Sequence, residues 1–446
     1  MWTNRHARAI DHDWKDIDQV ELKKVIGTLI LIGVYKSKNE DINVLWSKED
    51  GRPIFNKIIS RTRFQTIMRF LRFDNVIRRR KHGPTDKLKP IRSCFEMWNS
   101  YLKEAHIPGW SVTIDEQLVN FRGRCPFRQY IPSKPGKYGI KLWVICDSET
   151  SYVLKLQVYT GKRENEDREK HQGKRVVTDL VTDIEKSGRN VTCDNFFVSI
   201  DLARYLLAKK LTLLGTIRKN KGELPNELTV TKGRVVNSTL FGFQDDAMIL
   251  SYCPKKNKVV TLLSTMHHQP TIDSTNAEQK PEVIVSYNST KAGVDTMDQM
   301  VRNYSVKKKS RRWPMIIFYN MIDISALNAY IVYASLNPEY FCEKNNGRRI
   351  FLITLGKILG GVNEDEEIQR GRDVRVARKR KRETEEEVEV EVEDEETEFA
   401  GSMKEKRGRC YLCERSKDRK YASTCSNCRK YLCPVHSSLI CSECLV

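Results

Sequence analysis

Hydrophobic positions recur at helical spacing in the first quarter of the chain. Phe64, Ile67, Met68 and Leu71, for example, lie three or four residues apart and share one face of a helix. The same spacing recurs, with interruptions, through residues 1–110. This pattern predicts a helical domain over residues 1–110.

Helical spacing returns near the other end of the regular part of the chain. Residues 306–365 are predicted to be helical, with a long apolar helix at residues 315–336. Polar residues such as Asn320 and Asp323 interrupt the apolar surface of that helix. A helix in the protein core is therefore favoured over a membrane span, and no membrane partner is expected.

Strands and helices alternate between residues 111 and 220. Short apolar runs rich in branched and aromatic residues predict the strands, and amphipathic spacing predicts the helices. In order, the pattern predicts strands at residues 113–115, 138–146 and 152–159, a helix at 175–186, a strand at 190–194, a helix at 199–209 and a strand at 212–217. This order is typical of an α/β core with a mixed sheet, and it matches the RNase H-like arrangement.

The alternating pattern is interrupted after residue 220. Glycines separate short strand-like runs, among them residues 247–252 and 258–264, which predicts a β-rich insertion over residues 221–282. The α/β core then resumes at residues 283–305.

Residues 366–408 have no apolar periodicity. They contain a basic run, Ala377–Arg382, and then 11 acidic residues with no lysine or arginine between positions 383 and 398. This composition predicts a disordered linker. The basic run is a candidate nuclear localisation signal or DNA-binding arm, and we expect the protein in the nucleus.

The charge balance indicates the class of partner. The formal net charge is +20, which favours a polyanion such as nucleic acid. The N-terminus has no apolar core of the kind found in signal peptides. Seven of the 13 cysteines lie between residues 410 and 444, which favours a metal-binding module over a disulfide framework.

Residues 409–446 contain four pairs of metal-ligand residues. A ligand set of this size suits two tetrahedral zinc ions, and the ions would supply the folding energy of so small a domain. We expect a cross-brace, in which pairs one and three hold one ion and pairs two and four hold the other. Sequential pairing is the alternative. The pairs are, in order, Cys410 and Cys413, Cys425 and Cys428, Cys433 and His436, and Cys441 and Cys444.

Four aspartates form a candidate catalytic set. Asp115 and Asp194 each end a short predicted strand, and Asp295 and Asp298 share one face of a predicted helix. Carboxylates that converge from separate elements hold the two divalent ions of two-metal phosphoryl transfer. Mg²⁺ prefers such oxygen ligands, and Mn²⁺ can substitute for it. No P-loop, HExxH or GxSxG pattern offers a competing site.

The segments around these aspartates resemble a known family. The segments IDEQLVNFRGRCPFRQYIP, KYGIKLW, VTCDNFF, YNSTKAGVDTMDQM and RRWP are similar to the characteristic blocks of the piggyBac-type transposases. They occur in the order typical of the family, and the resemblance extends over nearly the whole chain, including the cysteine-rich tail.

The resemblance implies a fold and an activity. Asp115, Asp194 and Asp295 would be the catalytic triad, and Asp298 an additional acid near the metals. The α/β core would be RNase H-like, inside a helical dimerisation and DNA-binding domain that is split around it, and the tail would read the transposon ends. The implied activity is nicking of double-stranded DNA, hairpin formation and joining into TTAA targets by a homodimer, with no small-molecule substrate.

Two basic segments are predicted to contact DNA. The first follows Asp115 and is expected to meet phosphates next to the metals. The second precedes Trp313 and Pro314, at the start of the long apolar helix. The predicted contact residues are Arg122, Arg124 and Arg128 in the first segment, and Lys307, Lys308, Lys309, Arg311 and Arg312 in the second.

Alternatives to an active transposase remain open. The chain begins close to or inside the first helical domain, so we expect an N-terminally short form, a partial copy or a domesticated gene. A domesticated derivative would bind specific DNA sequences without cutting them. A third class is an interaction module, because cross-brace fingers also occur in ubiquitin ligases and histone-tail readers.

Overall fold

A computed structural model describes most of the regular part of the chain. The described residues are 2–76, 79, 86–161, 169–273, 278–338 and 346–362, together with 408–410, 413, 420–424 and 430–433 in the tail. The chain divides into two compact units, residues 1–367 and residues 368–446.

Short helices form the first part of the larger unit, as the periodicity predicts. Their core is aromatic: the Trp46 ring stacks on Phe55 at 5.0 Å and lies 5.1 Å from Phe64 between ring centroids. The helices are α1 (Trp2–Arg8), α2 (Gln19–Val34), α3 (Ile42–Leu45), α4 (Pro53–Ile58), α5 (Arg61–Phe70) and α6 (Arg92–Tyr101).

One mixed sheet of nine strands forms the centre of this unit. Its first six strands are β1 (Ser111–Asn120), β2 (Gln129–Tyr130), β3 (Tyr138–Asp147), β4 (Val153–Val158), β5 (Asn190–Cys193) and β6 (Thr212–Thr216). β1 pairs with β3 in antiparallel and with β5 in parallel orientation, and β5 pairs with β6 in parallel orientation. The predicted mixed α/β fold is therefore confirmed.

The β-rich segment after residue 220 continues this sheet. It forms β7 (Thr239–Gln244), β8 (Ala247–Lys255) and β9 (Lys258–Ser264), and β9 pairs antiparallel with β6. The predicted strands are present, and they extend the core sheet. β9 thereby covers the edge of β6, whose backbone groups would otherwise lack partners.

Helices pack against the sheet and connect it to the first part of the unit. They are α7 (Gln172–Val181), α8 (Ile200–Ala208), α9 (Asn226–Thr229), α10 (Glu282–Thr290), α11 (Gly293–Asn303), α12 (Trp313–Leu336) and α13 (Gly347–Leu359). α13 packs on α2 at glycine positions: a Cβ atom on Gly27 would lie 2.5 Å from the carbonyl oxygen of Gly356. A helix that precedes the strands in sequence, α2, therefore packs against a helix that follows them, α13.

The long helix α12 is a core helix, as predicted. Among the described helices, α12 is the one whose length and apolar composition would allow it to cross a bilayer. Most of this helix, however, is buried in the protein. Its polar residues have partners inside the fold. Asp323 accepts hydrogen bonds from the Ser305 hydroxyl and the Val306 amide, and the Asn328 side chain pairs with both backbone groups of Val153 on β4.

The described part of the tail is a small separate unit. Two-residue strands β10 (Gly408–Arg409) and β11 (Lys420–Tyr421) pair antiparallel, and Leu432 is buried beside Cys410 and Cys433. The predicted linker at residues 366–408 lies outside the described residues except for Gly408.

Candidate active site

One face of β1 lies against the two helices that follow the sheet. Side chains alternate along a strand, so Thr113, Asp115 and Gln117 share a face. The Thr113 hydroxyl donates to the carbonyl oxygen of Thr290 at the end of α10 (2.5 Å), and Gln117 Nε2 donates to Asp298 Oδ1 on α11 (3.0 Å). Asp115 lies between these two anchors and therefore on the face that α11 covers.

The register of the sheet places Asp194 beside Asp115. The parallel pairing of β1 with β5 ends at Ile114 and Cys193, and each aspartate is the next residue along its own segment. Neighbouring strands are about 4.8 Å apart, so the two aspartates lie side by side where this parallel pairing ends. The structure corrects one detail: Asp115 lies in the middle of a ten-residue strand, at the end of its parallel pairing and not at the end of the strand.

Local backbone groups orient both carboxylates. Asp115 Oδ1 accepts a hydrogen bond from the Glu116 amide (2.7 Å), and Asp194 Oδ1 accepts one from the Phe196 amide (2.8 Å). Burial, followed by the charges of Glu116 and Asp194, raises the pKa of Asp115 to about 7. Burial also raises the pKa of Asp194. The two carboxylates are thus held close together with insufficient positive charge around them.

The two acids of α11 differ in their surroundings. Asp298 is only 8% exposed, and an amide relay positions it: Asn320 Nδ2 donates to Gln117 Oε1 (2.9 Å), and Gln117 in turn donates to Asp298. Burial raises the pKa of Asp298. Asp295 lies in the first turn of α11, and its side chain is 68% exposed. Asp295 therefore remains accessible, whereas Asp298 is tied into the core.

Lys134 connects Asp295 to the strand acids. Its Nζ lies 3.6 Å from Asp295 Oδ1 and donates to the carbonyl oxygen of Glu116 at 3.2 Å. Burial alone would lower the pKa of Lys134, but the charges of Asp115, Glu116 and Asp295 outweigh it and raise the pKa. Asp115, Asp194 and Asp295 thus belong to one acidic neighbourhood.

Sequence reasoning missed several residues of this neighbourhood. Lys141 lies 3.7 Å from Glu116 Oε2, and its ammonium group also lies 3.7 Å from the centre of the Trp143 ring. The period-2 pattern of β1 would have placed Gln117 on the face of Asp115. No sequence signal identified Asn320 or Lys134 as part of the site: Asn320 comes from a distant helix, and Lys134 reaches the acids through the fold of the loop between β2 and β3.

The donor set suits a hard divalent cation. Asp115, Asp194 and Asp295 offer carboxylate oxygens, the ligands that Mg²⁺ and Mn²⁺ prefer. Burial, followed by the charges of Glu116 and Asp194, raises the pKa of Asp115, and a bound cation would favour its charged form. These three carboxylates could hold the metal, and Asp298 could support it from the side of α11.

The basic loop after β1 is anchored by aromatic residues. Phe127 is buried and packs edge-on against Trp313, with ring centroids 4.9 Å apart. Arg122, Arg124 and Arg128 are exposed on this loop. The arginines therefore project from a fixed support close to the acidic neighbourhood.

The second basic segment separates into inward and outward residues. Lys308 is buried, and its Nζ donates to the carbonyl oxygens of Glu40 (2.7 Å) and Ser37 (3.3 Å). Lys307 donates to the carbonyl oxygen of Asn120. Lys309 and Arg311 are exposed. Lys308 therefore uses its charge inside the fold, and its contact with DNA stays a prediction.

Arg312 also has a role inside the fold. Its guanidinium donates to the carbonyl oxygens of Met68, Arg69 and Leu71, which lie at the end of α5 and otherwise lack helical partners. Burial, followed by repulsion from Arg72, lowers the pKa of Arg312 to about 10. The contact of Arg312 with DNA, like that of Lys308, stays a prediction.

Arginines also surround a cavity of about 260 Å³ beside the start of α12. Its walls contain Arg72, Arg79, Arg311 and Arg312 but only one acid, Asp74. Arg79 Nε lies 3.2 Å from Asp74 Oδ2. The excess of positive charge makes this cavity attractive to an anion, and the exposed Arg311 stands at its edge.

Three cysteines of the tail converge. The sulfur atoms of Cys410, Cys413 and Cys433 lie within 4.8 Å of one another and could hold a metal ion. These residues come from the first and third predicted ligand pairs. The remaining predicted ligands lie outside the described residues: His436, Cys425, Cys428, Cys441 and Cys444.

Comparisons with known proteins identify the family of the chain. A family model described as Transposase IS4 matches residues 2–330. The chain is also similar to a piggyBac transposase solved by cryo-EM as a synaptic complex with hairpin DNA. That match covers 99% of this chain and 93% of the other, with 32% sequence identity and a TM-score of 0.74.

Two human relatives are more distant. PiggyBac transposable element-derived protein 3 and the chimeric ERCC6-PGBD3 protein are each 24% identical over 347 residues, or 72% of this chain. The chain spans 57% of the length of the first and 32% of the second. Since the family model covers well over half of the chain and the solved piggyBac structure covers nearly all of it, the chain belongs to the piggyBac type of the Transposase IS4 family.

Proposed function

We propose that this chain is a cut-and-paste DNA transposase that cleaves DNA strands, forms hairpin ends and joins them into TTAA targets. The observation that carries the proposal is the register of β1 and β5, which puts Asp115 and Asp194 at neighbouring positions in the centre of the sheet, where Lys134 also contacts Asp295. This is the arrangement of carboxylates that two-metal phosphoryl transfer requires. The synaptic DNA complex of the similar piggyBac transposase supports the choice of substrate.

Each residue of the site has a part in this proposal. The family uses divalent metal, and Mg²⁺ or Mn²⁺ would activate the attacking hydroxyl and stabilise the leaving oxygen. Asp115, Asp194 and Asp295 hold the metal, and Gln117 and Asn320 position Asp298 behind them. Arg122, Arg124, Arg128, Lys309 and Arg311 contact the phosphates of the DNA, and Lys307 supports the end of β1.

The proposed organisation follows the predicted domain limits. Residues 111–220 and 283–305 form an RNase H-like core, and residues 221–282 form an insertion. Residues 1–110 and 306–365 form a helical domain that dimerises and binds DNA. The tail binds zinc in a cross-brace, which the convergence of Cys410 and Cys413 with Cys433 supports, and it reads the DNA ends in the nucleus.

The decisive experiment is cleavage of a DNA that carries the cognate ends, in Mg²⁺ and in Mn²⁺. We expect Asp194→Asn to reduce the cleavage rate by about 10²–10³-fold, because it removes a metal ligand from the transition state. Asp246→Asn is the matched control, since Asp246 is an exposed acid in the turn between β7 and β8. Cleavage by Asp194→Asn at the rate of the control would refute the assignment of the triad.

A second candidate function is sequence-specific DNA binding without cleavage. The names of both human relatives refer to derivation from a transposable element or to fusion with such a protein, and this observation favours a domesticated form. Specific binding of the DNA ends without any cleavage in either metal would establish it. The same experiment therefore separates the two functions.

A further inference from the structure

We propose that Tyr130 and Tyr138 form a stacking platform for an unpaired nucleobase, on the hairpin whose loop carries Lys134 to the carboxylates. The inference rests on the proposed function, because that function brings a DNA strand to these carboxylates. Both rings are open to solvent: Tyr130 is 55% exposed and Tyr138 is 38% exposed. Together with Arg128, the two rings form an exposed aromatic surface in a basic segment, which suits a stacking ligand.

The two tyrosines are a cross-strand pair of the hairpin formed by β2 and β3. They lie directly opposite each other in the register, with ring centroids 4.7 Å apart and an angle of 37° between the rings. The Arg128 guanidinium lies 5.5 Å from the centre of the Tyr138 ring. Arg128 itself is fixed by hydrogen bonds to the carbonyl oxygens of Arg122 (2.8 Å) and Gly123 (3.0 Å).

The loop of this hairpin reaches the acidic neighbourhood. Lys134 lies four residues from each tyrosine, and it contacts both Asp295 and the backbone of Glu116. The loop is rigid because its backbone is hydrogen-bonded internally, from the Ile131 amide to the Lys137 carbonyl oxygen (2.8 Å) and from the Lys137 amide to the Lys134 carbonyl oxygen (3.0 Å). The tyrosine rings are therefore held on the same hairpin as Lys134, with Tyr138 six residues along β3 from Val144, the partner of Asp115, or about 20 Å.

The chemistry of the platform selects an unpaired base. Every nucleobase has an aromatic face that stacks on tyrosine, and a nearby arginine adds cation–π attraction. Bases inside a duplex are already stacked on their neighbours and cannot offer a face. The ligand is therefore a base at a hairpin apex, in a gap or in a single-stranded end. The competing explanation is a cross-strand pair that only stabilises the hairpin.

The test measures stacking separately from cleavage. The full chain is mixed in Ca²⁺, which suppresses cutting, with a duplex that ends either blunt or in a short single strand containing 2-aminopurine. We expect quenched 2-aminopurine fluorescence and tighter binding of the single-stranded end. Tyr130→Ala and Tyr130→Leu should each reduce that preference by about 5- to 150-fold, whereas Tyr130→Phe should retain it. The leucine variant keeps an apolar contact with Tyr138, so it tests the aromatic face without removing the cross-strand contact.

Controls separate the possible failures. Tyr101→Ala removes a tyrosine that is 60% exposed on α6, and it should change neither fluorescence nor preference. Unchanged affinity for the blunt duplex shows that a variant is folded. Equal preference in the Phe, Leu and Ala variants, or no preference in the unaltered chain, would overturn the platform. Cleavage of the same DNA in Mg²⁺ reports on the proposed function, so stacking without cleavage would refute that function and leave the platform standing.

Discussion

Gly293 sets the distance between α11 and β1, and its replacement by alanine tests whether that distance positions the acids. A Cβ atom at position 293 would lie 2.7 Å from Thr113 Oγ1 and 3.1 Å from Thr113 Cβ. Ordinary contact requires about 3.4 Å or more, so the helix must move by about 0.7 Å. That movement would carry Asp295 and Asp298 away from Asp115.

The expected cost of Gly293→Ala follows from these distances. Forcing an extra methyl group into a packed contact costs about 1–3 kcal/mol, and the better helix propensity of alanine offsets about 0.4–1 kcal/mol. We expect the free energy of unfolding to fall by about 1–2 kcal/mol in a urea titration. Misplacement of catalytic groups by about 1 Å can cost about 100-fold in rate, so we expect DNA cleavage to slow by about 10- to 100-fold.

Two further variants make this test specific. Gly222→Ala is the matched control, because a Cβ atom there would meet nothing within 4 Å. Thr113→Ala removes the nearest atom, so the stability cost of Gly293→Ala should shrink in that background. Gly293→Ala with the stability and cleavage rate of the control would show that the close contact of α11 with β1 does not position the acids.

Two further predictions concern other parts of the molecule. The carboxylate of Asp147 accepts hydrogen bonds from the His106 side chain and from the backbone amides of Gly109, Glu149 and Thr150. Burial alone would raise the pKa of Asp147, but these hydrogen bonds lower it to about 2. Because the folded-state pKa is depressed, this stabilisation is present above about pH 4 and is lost as the pH falls towards 2. Asp147→Asn should therefore lower the free energy of unfolding by about 2 kcal/mol at pH 7. In chemical denaturation, the difference in unfolding free energy between the unaltered chain and the variant should shrink below pH 4. A difference that does not depend on pH would contradict this role of Asp147. Arg311→Gln should reduce the slope of log affinity for duplex DNA against log salt by about 0.9, with no change in melting temperature. Arg8→Gln is the control, because Arg8 is already paired with Asp16, and it should leave the salt dependence of affinity unchanged. An equal slope for both variants would show that Arg311 does not contact the DNA.

Local patterns predicted the elements well where packing agrees with propensity. The strands β8 and β9 and the core helix α12 lie where the spacing of apolar residues places them. The end of β1 was harder to predict from the sequence, because the strand continues beyond Asp115 through its antiparallel pairing with β3. The alternation of side chains along a strand describes that strand alone. It does not show at which residue the pairing with a neighbouring strand ends.

The basic residues before α12 show the same limit. Lys308 and Lys309 are adjacent and identical in type, yet Lys308 is buried and Lys309 is exposed. The partners of Lys308 are the carbonyl oxygens of Ser37 and Glu40, about 270 residues earlier in the chain. The run of positive charge therefore predicted the class of partner, a polyanion. It did not predict which of the basic residues are exposed to that partner.

The sequence by itself determined the chemistry available to this protein: the strand-borne carboxylates Asp115 and Asp194, the acidic helix with Asp295, the basic segments and the cysteine pairs. Only the tertiary structure decided how they combine. The register of β1 with β5 aligns two acids, the contact at Gly293 brings the third over them, and Lys134, through the fold of its loop, and Asn320, from a distant helix, complete the neighbourhood. The physical reason is that spacing records local geometry, whereas burial, register and charge balance arise from residues that are remote in sequence.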